Sequence, residues 1–225
     1  MNINSSNQTL PLNKVTAYVT RNGKNGKELL VFQHPSTGLQ LPAGTVEDGE
    51  EPAVAVVREV AEETGILDAE ILCLLDAEVT LLPDRQRAVR NPSPLLARPQ
   101  ADAATIEMVG RSGFLLDVGE LDGLYRQVTH RDYEFVDNAF VPVRSVDGWM
   151  LDEELTQQIV RHHYELRTPS PTPDRWAHSA EGEFDCELYW TEIGEDIGLA
   201  ASNKAWLRFV IDKLRINPPT QYEQT

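Results

Sequence analysis

Residues 41–66 combine a dense set of acidic side chains with valine and alanine at helical spacing. Pro52 suits the first turn of a helix, where its missing N–H costs nothing. Acidic residues crowd that end, where the helix dipole favours negative charge. Gly65 stands where a left-handed residue commonly ends a helix. The segment therefore predicts a helix from Pro52 to about Thr64.

The charges of this predicted helix are sorted away from its apolar stripe. At about 100° per residue its apolar residues share one face, which we expect to meet the core. That face consists of Ala53, Val54, Val57, Val60, Ala61 and Thr64. Glu59, Glu62 and Glu63 fall on the opposite side, close enough in spacing to be neighbours on the helix surface, and Arg58 lies beside them.

Such a concentration of like charge requires a physical reason. Two carboxylates about 6 Å apart repel by roughly 3 kcal/mol at an effective dielectric constant near 20. A purely structural helix would place lysines four residues after its glutamates, and this helix has none. A glutamate-rich face alone is more commonly a solvated surface. Hard oxygen ligands beside a loop also indicate a site for a divalent cation such as Mg²⁺.

The residues around the glutamates form a fixed pattern. Gly44, Glu50 and the run from Arg58 to Ile66 spell G-x5-E-x7-R-E-U-x-E-E-x-G-U, where U is aliphatic. This pattern resembles the Nudix box at all nine of its defined positions. With average residue usage, such a match has a chance probability below about one in a million. The pattern therefore favours the metal site over the solvated surface.

The resemblance implies an α/β fold, namely a Nudix-type α/β/α sandwich with a mixed β-sheet. We expect a single Nudix hydrolase domain over residues 13–216, between flexible tails at residues 1–12 and 217–225. An insertion is expected at about residues 83–115. The prolines of residues 83–105 indicate a long loop or inserted element rather than core.

Several further segments predict secondary structure. Residues 14–21 and 28–34 are separated by turn residues and predict a β-hairpin. Residues 69–82 predict a buried strand. Residues 157–167 fit a strand and a helix equally well, because their periodicity alone does not decide. The apolar stripe of residues 199–215 predicts an amphipathic helix.

The resemblance also implies an activity. Nudix enzymes hydrolyse nucleoside diphosphates linked to a further moiety, X, and typical members release a nucleoside monophosphate and P–X. The implied substrate is a small nucleotide, such as ADP-ribose, a nucleotide sugar or a modified nucleoside triphosphate. The implied cofactor is Mg²⁺, for which Mn²⁺ would substitute. A bound metal ion neutralises charge on the diphosphate and lowers the pKa of a bound water.

Site residues follow from the resemblance position by position. Glu59, Glu62 and Glu63 would hold Mg²⁺, although either Glu59 or Glu63 would instead deprotonate the attacking water. Arg58 would brace the glutamates as their ion-pair partner. The other implied residues are Glu50 as a loop support or a ligand of a second ion, Ala43 as a ligand through its backbone carbonyl, and Gly44 and Gly65 as loop-shaping residues. Substrate-binding residues are not identified by the sequence.

Residues outside the box are weaker candidates. Each candidate carboxylate is more commonly an ordinary surface residue, and each candidate aromatic is more commonly part of a core. These residues are Glu134, Glu165 and Glu183 for a further ligand or base, and Trp176, Tyr189 and Trp190 for stacking on a nucleobase. His162 and His163 have no companion Cys or His at zinc-site spacing.

The composition restricts the expected partners. A net charge of −16 leaves no excess of Lys and Arg to displace counterions from phosphates. We therefore expect neither a nucleic-acid polymer nor a membrane as a partner. With two cysteines, no secretion signal and no apolar run of membrane-spanning length, the chain is expected to be cytoplasmic. A homodimer is compatible with the family resemblance.

Two functional alternatives stay open. A catalytically silent Nudix-like domain would bind a nucleotide as a sensor or regulator, but such domains commonly lose box glutamates, and this chain keeps them all. Decapping of nucleic acid is disfavoured, because the chain is acidic and shows no basic stripe.

Overall fold

The computed structural model describes residues 10–136, 139–180 and 184–216. Its chain divides into two compact units. We define the sandwich unit as Asn13–Glu78 with Arg161–Thr225, and the β unit as Met1–Leu12 with Val79–Val160.

The secondary structure of the described residues consists mainly of strands. In chain order the elements are β1 (Leu12–Asn22), β2 (Lys27–His34), β3 (Gly38–Gln40), β4 (Ala43–Thr45), α1 (Pro52–Thr64), β5 (Glu70–Leu81), β6 (Gln86–Val89), β7 (Ser93–Leu96), β8 (Thr105–Val109), β9 (Leu115–Asp122), β10 (Tyr125–Val136), β11 (Ala139–Leu151), a short 3₁₀ helix (Asp152–Glu154), β12 (Leu155–Thr156), β13 (Gln158–Arg167), β14 (Arg175–Ala180), β15 (Phe184–Glu192) and α2 (Ala201–Ile216).

The sheet of the sandwich unit has the strand order β14-β15-β2-β1-β13-β5, with β3 paired to β2 and β4 paired to β1. β1 and β2 are antiparallel, with Thr20 opposite Leu29, so the predicted hairpin is confirmed. β13 resolves the ambiguous segment as a strand. β5 was expected to be buried and is not: it lies at the edge of the sheet, and Leu74 is 51% exposed.

The two helices of the sandwich unit cover opposite faces of its sheet. Alternate side chains of a strand point to opposite faces. Accordingly, Val15, Ala17 and Val19 of β1 belong to the same buried cluster as the inward side of α1. Tyr18 lies in a second cluster, with Leu207 and other residues of α2. The predicted α/β/α sandwich is therefore confirmed, as is the terminal amphipathic helix.

Helix α1 has the predicted bounds but a different rotation about its axis. Ala53 and Val54 were expected to face the core, yet both are exposed, Val54 by 59%. Ala55 and Val56 are fully buried instead. Glu59, expected on the solvated side, is only 7% exposed. Apolar residues lie around most of this helix, so the hydrophobic pattern alone does not determine which side faces the core. In the observed rotation, Glu59 packs against β4.

The β unit contains a second sheet with the order β12-β6-β9-β10-β11-β7-β8. Its buried cluster includes Val89, Leu95 and Met150, all fully buried. Residues 83–105, expected to be loop-like, thus supply both strands and core. The compact unit extends well beyond the insertion expected at residues 83–115. The domain boundaries themselves stay a prediction.

The predicted tails lie largely outside the described residues, although Leu12 begins β1 and is 3% exposed. None of the helices in the described residues has the length and apolar character required to cross a bilayer.

Candidate active site

Strand β4 and helix α1 approach each other most closely at Gly44. In β4, Gly44 lies opposite Val15 of β1. A Cβ atom added to Gly44 would lie 1.8 Å from the carboxyl carbon and from Oε1 of Glu59. No side chain fits in that space, so the glycine is required by the close approach of a carboxylate. Gly44 was predicted to shape the loop; the structure shows it in β4, packed against the Glu59 carboxylate, and the loop-shaping role stays a prediction.

Arg58 is the centre of an acidic cluster on α1 and the preceding loop. Its Nε–H and Nη2–H groups donate to the two oxygens of Glu50, each at 3.0 Å. Nη2 also donates to the carbonyl oxygen of Thr45 at 3.0 Å. This bidentate geometry is the strongest form of the arginine–carboxylate pair. Arg58 therefore connects the helix to the loop that precedes it.

The remaining nitrogen of Arg58 lies between two box glutamates. Nη1 donates to Oε1 of Glu59 at 3.0 Å and to Oε2 of Glu62 at 2.8 Å. The sequence predicted this bracing role for Arg58. One cationic nitrogen is thus shared by carboxylate oxygens from two turns of α1, which offsets the repulsion between them.

Glu63 is positioned by the backbone of β4. Its Oε2 atom accepts a hydrogen bond from the N–H of Ala43 at 2.8 Å. Ala43 and Gly44 therefore contact Glu63 and Glu59 respectively, one residue of β4 for each glutamate. Strand β4 therefore positions two of the predicted carboxylates, Glu59 and Glu63.

The chemistry of this donor set fits a hard divalent cation. Carboxylate oxygens are the ligands that Mg²⁺ prefers, and Gly44 provides the space that the Glu59 carboxylate fills. As the side chains stand, the described residues contain no group of three Asp, Glu, His or Cys side chains arranged to hold a metal ion. Arg58 draws Glu59 and Glu62 toward itself, so ion binding would require these side chains to exchange partners. The metal assignment stays a prediction.

The pKa values of the cluster follow from these contacts. Hydrogen bonds from Arg58 lower the pKa of the Glu50 carboxyl, and a hydrogen bond from the Glu47 N–H adds to the shift. The same carboxylates raise the pKa of Arg58, mainly through the bonds to Glu50. Because both oxygens of Glu50 bind Arg58, the geometry favours loop support over metal ligation for Glu50.

Two residues of β14 secure the C-terminal end of α1, where carbonyl groups lack helical partners. Trp176 Nε1 donates to the Thr64 carbonyl at 3.0 Å, and His178 Nε2 lies 3.0 Å from the Glu62 carbonyl oxygen. Gly65 has a φ of 75°, which confirms the predicted left-handed end of the helix. Trp176 was a candidate for base stacking, and its observed role here is to bind the helix end.

The other candidates lie in different surroundings. Glu165 is fully buried and pairs with Lys27 at 2.7 Å. Glu134 is an exposed residue of the β unit, and Glu183 lies outside the described residues. Trp190 Nε1 donates to Thr172, and the Tyr189 ring lies under the Arg175 guanidinium. His162 lies 3.1 Å from Asn13, and His163 is fully buried beside the Tyr18 hydroxyl at 3.0 Å.

Sequence reasoning missed a cavity next to the box. It is lined by Lys14, Arg161 and Trp206 together with Ala43 and Gly44. These residues come from four separate elements, so no spacing in the sequence connects them. The sequence offered one signal for it: β1 and β13 each carry a cation, Lys14 and Arg161 respectively, in a strand that also contains apolar residues.

The chain resembles known proteins over the region that contains this site. A family model described as NUDIX domain matches residues 12–139, more than half of the chain. Nudix hydrolase 26, chloroplastic, from Arabidopsis thaliana is 58% identical over 33 residues, which cover 15% of this chain and 15% of that protein. Nudix hydrolase 25 from the same organism is 54% identical over 33 residues, which cover 15% of this chain and 19% of that protein.

The chain thus spans less than a fifth of the length of these curated relatives. The family model, by contrast, extends from the first strand through the box and into the β unit. With the complete box and the sandwich fold, this match shows that the chain belongs to the NUDIX family.

Proposed function

We propose that this chain is a Mg²⁺-dependent pyrophosphohydrolase that cleaves the pyrophosphate bond of a nucleoside diphosphate linked to another moiety. The substrate classes are ADP-ribose, a nucleotide sugar and a modified nucleoside triphosphate, and Mn²⁺ is expected to replace Mg²⁺. The proposed setting is the cytoplasm, with a small nucleotide rather than a nucleic-acid polymer or a membrane as the partner. A homodimer is compatible with it.

One observation carries the proposal. Oxygens of Glu59 and Glu62 lie 3.0 and 2.8 Å from a single positively charged nitrogen of Arg58. Carboxylates that already share one cation are suited to share another, and a divalent ion is the cation that a diphosphate substrate also requires. Membership of the NUDIX family supports the same assignment.

The residues proposed to hold the ion are Glu59, Glu62 and Glu63, with the Ala43 carbonyl as a neutral ligand. When bound, the ion would neutralise charge on the diphosphate and lower the pKa of the attacking water. Either Glu59 or Glu63 would accept the proton from that water. Arg58 would hold the carboxylates in position, which matters because small displacements of catalytic groups reduce rates severely.

The test is the double variant Glu62→Gln with Glu63→Gln. We expect it to lower Mg²⁺-dependent hydrolysis by at least about a thousandfold, because two of the proposed ligands are lost. The assay screens a library of nucleoside diphosphate derivatives with Mg²⁺ or Mn²⁺. A coupled phosphatase releases phosphate from the products, and that phosphate is measured. Thermal unfolding would establish that the variant is folded.

The matched control is Glu47→Gln with Glu51→Gln, which removes the same charge from exposed positions of the same segment. This control should keep the wild-type rate. Full turnover by the Glu62 and Glu63 double variant would contradict the proposal. A wild-type protein that binds nucleotides but hydrolyses none of them would favour the sensor alternative.

A further inference from the structure

The sandwich unit contains a cavity of about 240 Å³ that adjoins the box. Its lining includes Ala43 and Gly44, the two residues of β4 that contact box glutamates. The rest of the lining includes Lys14 of β1, Arg161 of β13 and Trp206 of α2. Pockets for whole small ligands measure about 300–1,000 Å³. This cavity is therefore suited to one group of a larger ligand.

The two cations of the cavity are held by neutral groups. Lys14 Nζ donates to the Thr45 hydroxyl at 3.2 Å. Arg161 Nη1 donates to the Val15 carbonyl at 3.2 Å and to the Thr16 hydroxyl at 3.0 Å. In the part of the chain that the structure describes, no carboxylate forms an ion pair with Lys14 or Arg161. This is unexpected in a chain with 36 acidic residues.

Burial makes these cations costly without an anion. Burial, with a smaller contribution from the nearby positive charge of Arg161, lowers the pKa of Lys14 to about 8 against an opposing effect of Glu59. Burial likewise lowers the pKa of Arg161 to about 10, against opposing effects of Tyr18 and Glu78. The Arg161 guanidinium also lies 3.7 Å from the centre of the Trp206 ring, which fixes its position. An anion between the two groups would satisfy both.

Helix α2 adds a third source of positive potential. Ser202 and Asn203, in its first turn, line the cavity. The Asn203 side chain is buried and accepts the Leu41 N–H at 2.8 Å, which anchors this end of the helix. The first N–H groups of a helix have no helical acceptor and favour anions, phosphates above all.

We propose that this cavity binds a phosphate group of the nucleotide handled by the box, and that Lys14 and Arg161 are the residues that recognise it. The inference rests on the proposed function for the identity of the ligand, because β4 places the cavity directly beside the box glutamates. The chemistry alone requires a compact anion with several acceptor oxygens. A phosphate matches the forked donors of arginine and the ammonium of lysine.

The experiment measures binding of inorganic phosphate by calorimetry with EDTA present, so that no divalent ion takes part. The proteins are the wild type, Lys14→Gln, Arg161→Gln and Arg175→Gln. The last is a matched control, because Arg175 loses the same charge from the same unit but is exposed and pairs with Glu187. We expect Lys14→Gln and Arg161→Gln to weaken phosphate binding at least about tenfold, and Arg175→Gln to leave it unchanged.

A second titration repeats the measurement with ADP present. We expect ADP to displace the phosphate, because its own phosphate should occupy the cavity. Three results would overturn the inference: no phosphate binding by the wild type, equal affinity in all four proteins, or phosphate binding that ADP leaves unaffected. The third would assign the cavity to free phosphate. If Arg161→Gln fails to fold, Lys14→Gln decides the outcome alone.

Neither titration requires hydrolysis. A wild-type protein that binds phosphate as expected but cleaves no nucleotide would contradict the proposed function and leave the cavity assignment intact. If the wild type hydrolyses nucleotides but all four proteins bind phosphate with the same affinity, the proposed function stands and the cavity assignment is wrong.

Discussion

The acidic cluster around Arg58 and the cationic cavity at Lys14 and Arg161 both adjoin β4, yet they balance charge in opposite ways. Around Arg58, carboxylates of Glu50, Glu59 and Glu62 surround a single cation at 2.8–3.0 Å. In the cavity, the hydrogen bonds of the two buried cations go to hydroxyl and carbonyl oxygens, and the Arg161 guanidinium also lies over the Trp206 ring. One region has an excess of anions beside one cation, and the other has two cations that form no ion pair within the described residues.

This difference indicates where external charge should enter. A cation is expected to stabilise the first region and an anion the second, since each would relieve the repulsion that the protein itself leaves. A metal ion and a phosphate group are the two charged parts that a nucleotide hydrolase must bring together.

The largest effect is expected from Arg58→Met. This change removes the guanidinium that pairs with Glu50, Glu59 and Glu62. We expect a loss of about 3 kcal/mol in the free energy of unfolding, because three neighbouring carboxylates, among them the buried Glu59, lose the cation that they share. Urea denaturation would measure it, and Mg²⁺ should restore more stability to the variant than it adds to the wild type.

The control for this prediction is Arg175→Met. Arg175 forms an ion pair with Glu187 at 2.8 Å, but its side chain is 59% exposed. An exposed pair contributes less than about 1 kcal/mol. If both variants lost the same free energy of unfolding, Arg58 would stabilise the acidic cluster no more than Arg175 stabilises its exposed ion pair.

A somewhat smaller effect is expected from Gly44→Ala. Its Cβ would lie 1.8 Å from the Glu59 carboxyl carbon, so either the carboxylate or β4 must move. Displacement of a catalytic group by about 1 Å costs on the order of a hundredfold in rate. We therefore expect hydrolysis to fall by about that factor, measured as kcat/KM for a substrate found in the library screen.

The matched control is Gly110→Ala. A Cβ at Gly110 would meet nothing within 4 Å. The same substitution there should leave the rate unchanged. A Gly44→Ala enzyme with wild-type activity would mean that the position of Glu59 against β4 is not important for catalysis.

The two regions also differ in how far the sequence predicted them. The box lies within 23 consecutive positions, residues 44–66, so its spacing alone identified Arg58 and the glutamates. The cavity combines Lys14, Arg161 and Trp206, which are brought together only by the pairing of β1, β13 and the packing of α2. Side chains that meet through tertiary structure leave no local pattern to find.

The fold shows the same division. The first hairpin, α1 and α2 have local signals, namely turn residues, a helix-ending glycine and an amphipathic stripe, and all were predicted. The predicted rotation of α1 was wrong: the observed rotation places Glu59 against Gly44, 15 positions earlier in the sequence, a contact that no local pattern reveals. The strands of the β unit between residues 83 and 105 were missed because prolines obscure their alternation.

The smallest effect is expected from pH, which should change the free energy of unfolding through His163, a residue of the same strand as Arg161. His163 is fully buried, with its Nδ1 atom 3.0 Å from the Tyr18 hydroxyl. Burial lowers its pKa to about 4, and the positive charge of Arg161 adds to the shift, against an opposing effect of Asp76. Glu78 also lies 3.9 Å from Nε2. Burial and the charge of Arg161 outweigh the attraction of Asp76, so this region resists a further positive charge.

The sign of the effect follows from the two pKa values. In the unfolded chain His163 takes up a proton below about pH 6.5, whereas in the folded chain it stays neutral down to about pH 4. Its contribution to stability is therefore complete above about pH 6.5 and is lost as the pH falls toward 4. Between pH 7.5 and 5 we expect a loss of about 2 kcal/mol from this residue.

Carboxylates titrate in the same range, so the measurement is the difference between the wild type and His163→Gln in urea denaturation at each pH. Glutamine carries no titratable group, and the wild type should therefore lose about 2 kcal/mol more than the variant on acidification to pH 5. Parallel stability curves would mean that His163 gains its proton in the folded state as readily as in the unfolded one. That result would mean that the carboxylates of Asp76 and Glu78 fully compensate the burial of His163, and the contrast between the acidic cluster and the cationic cavity would no longer hold.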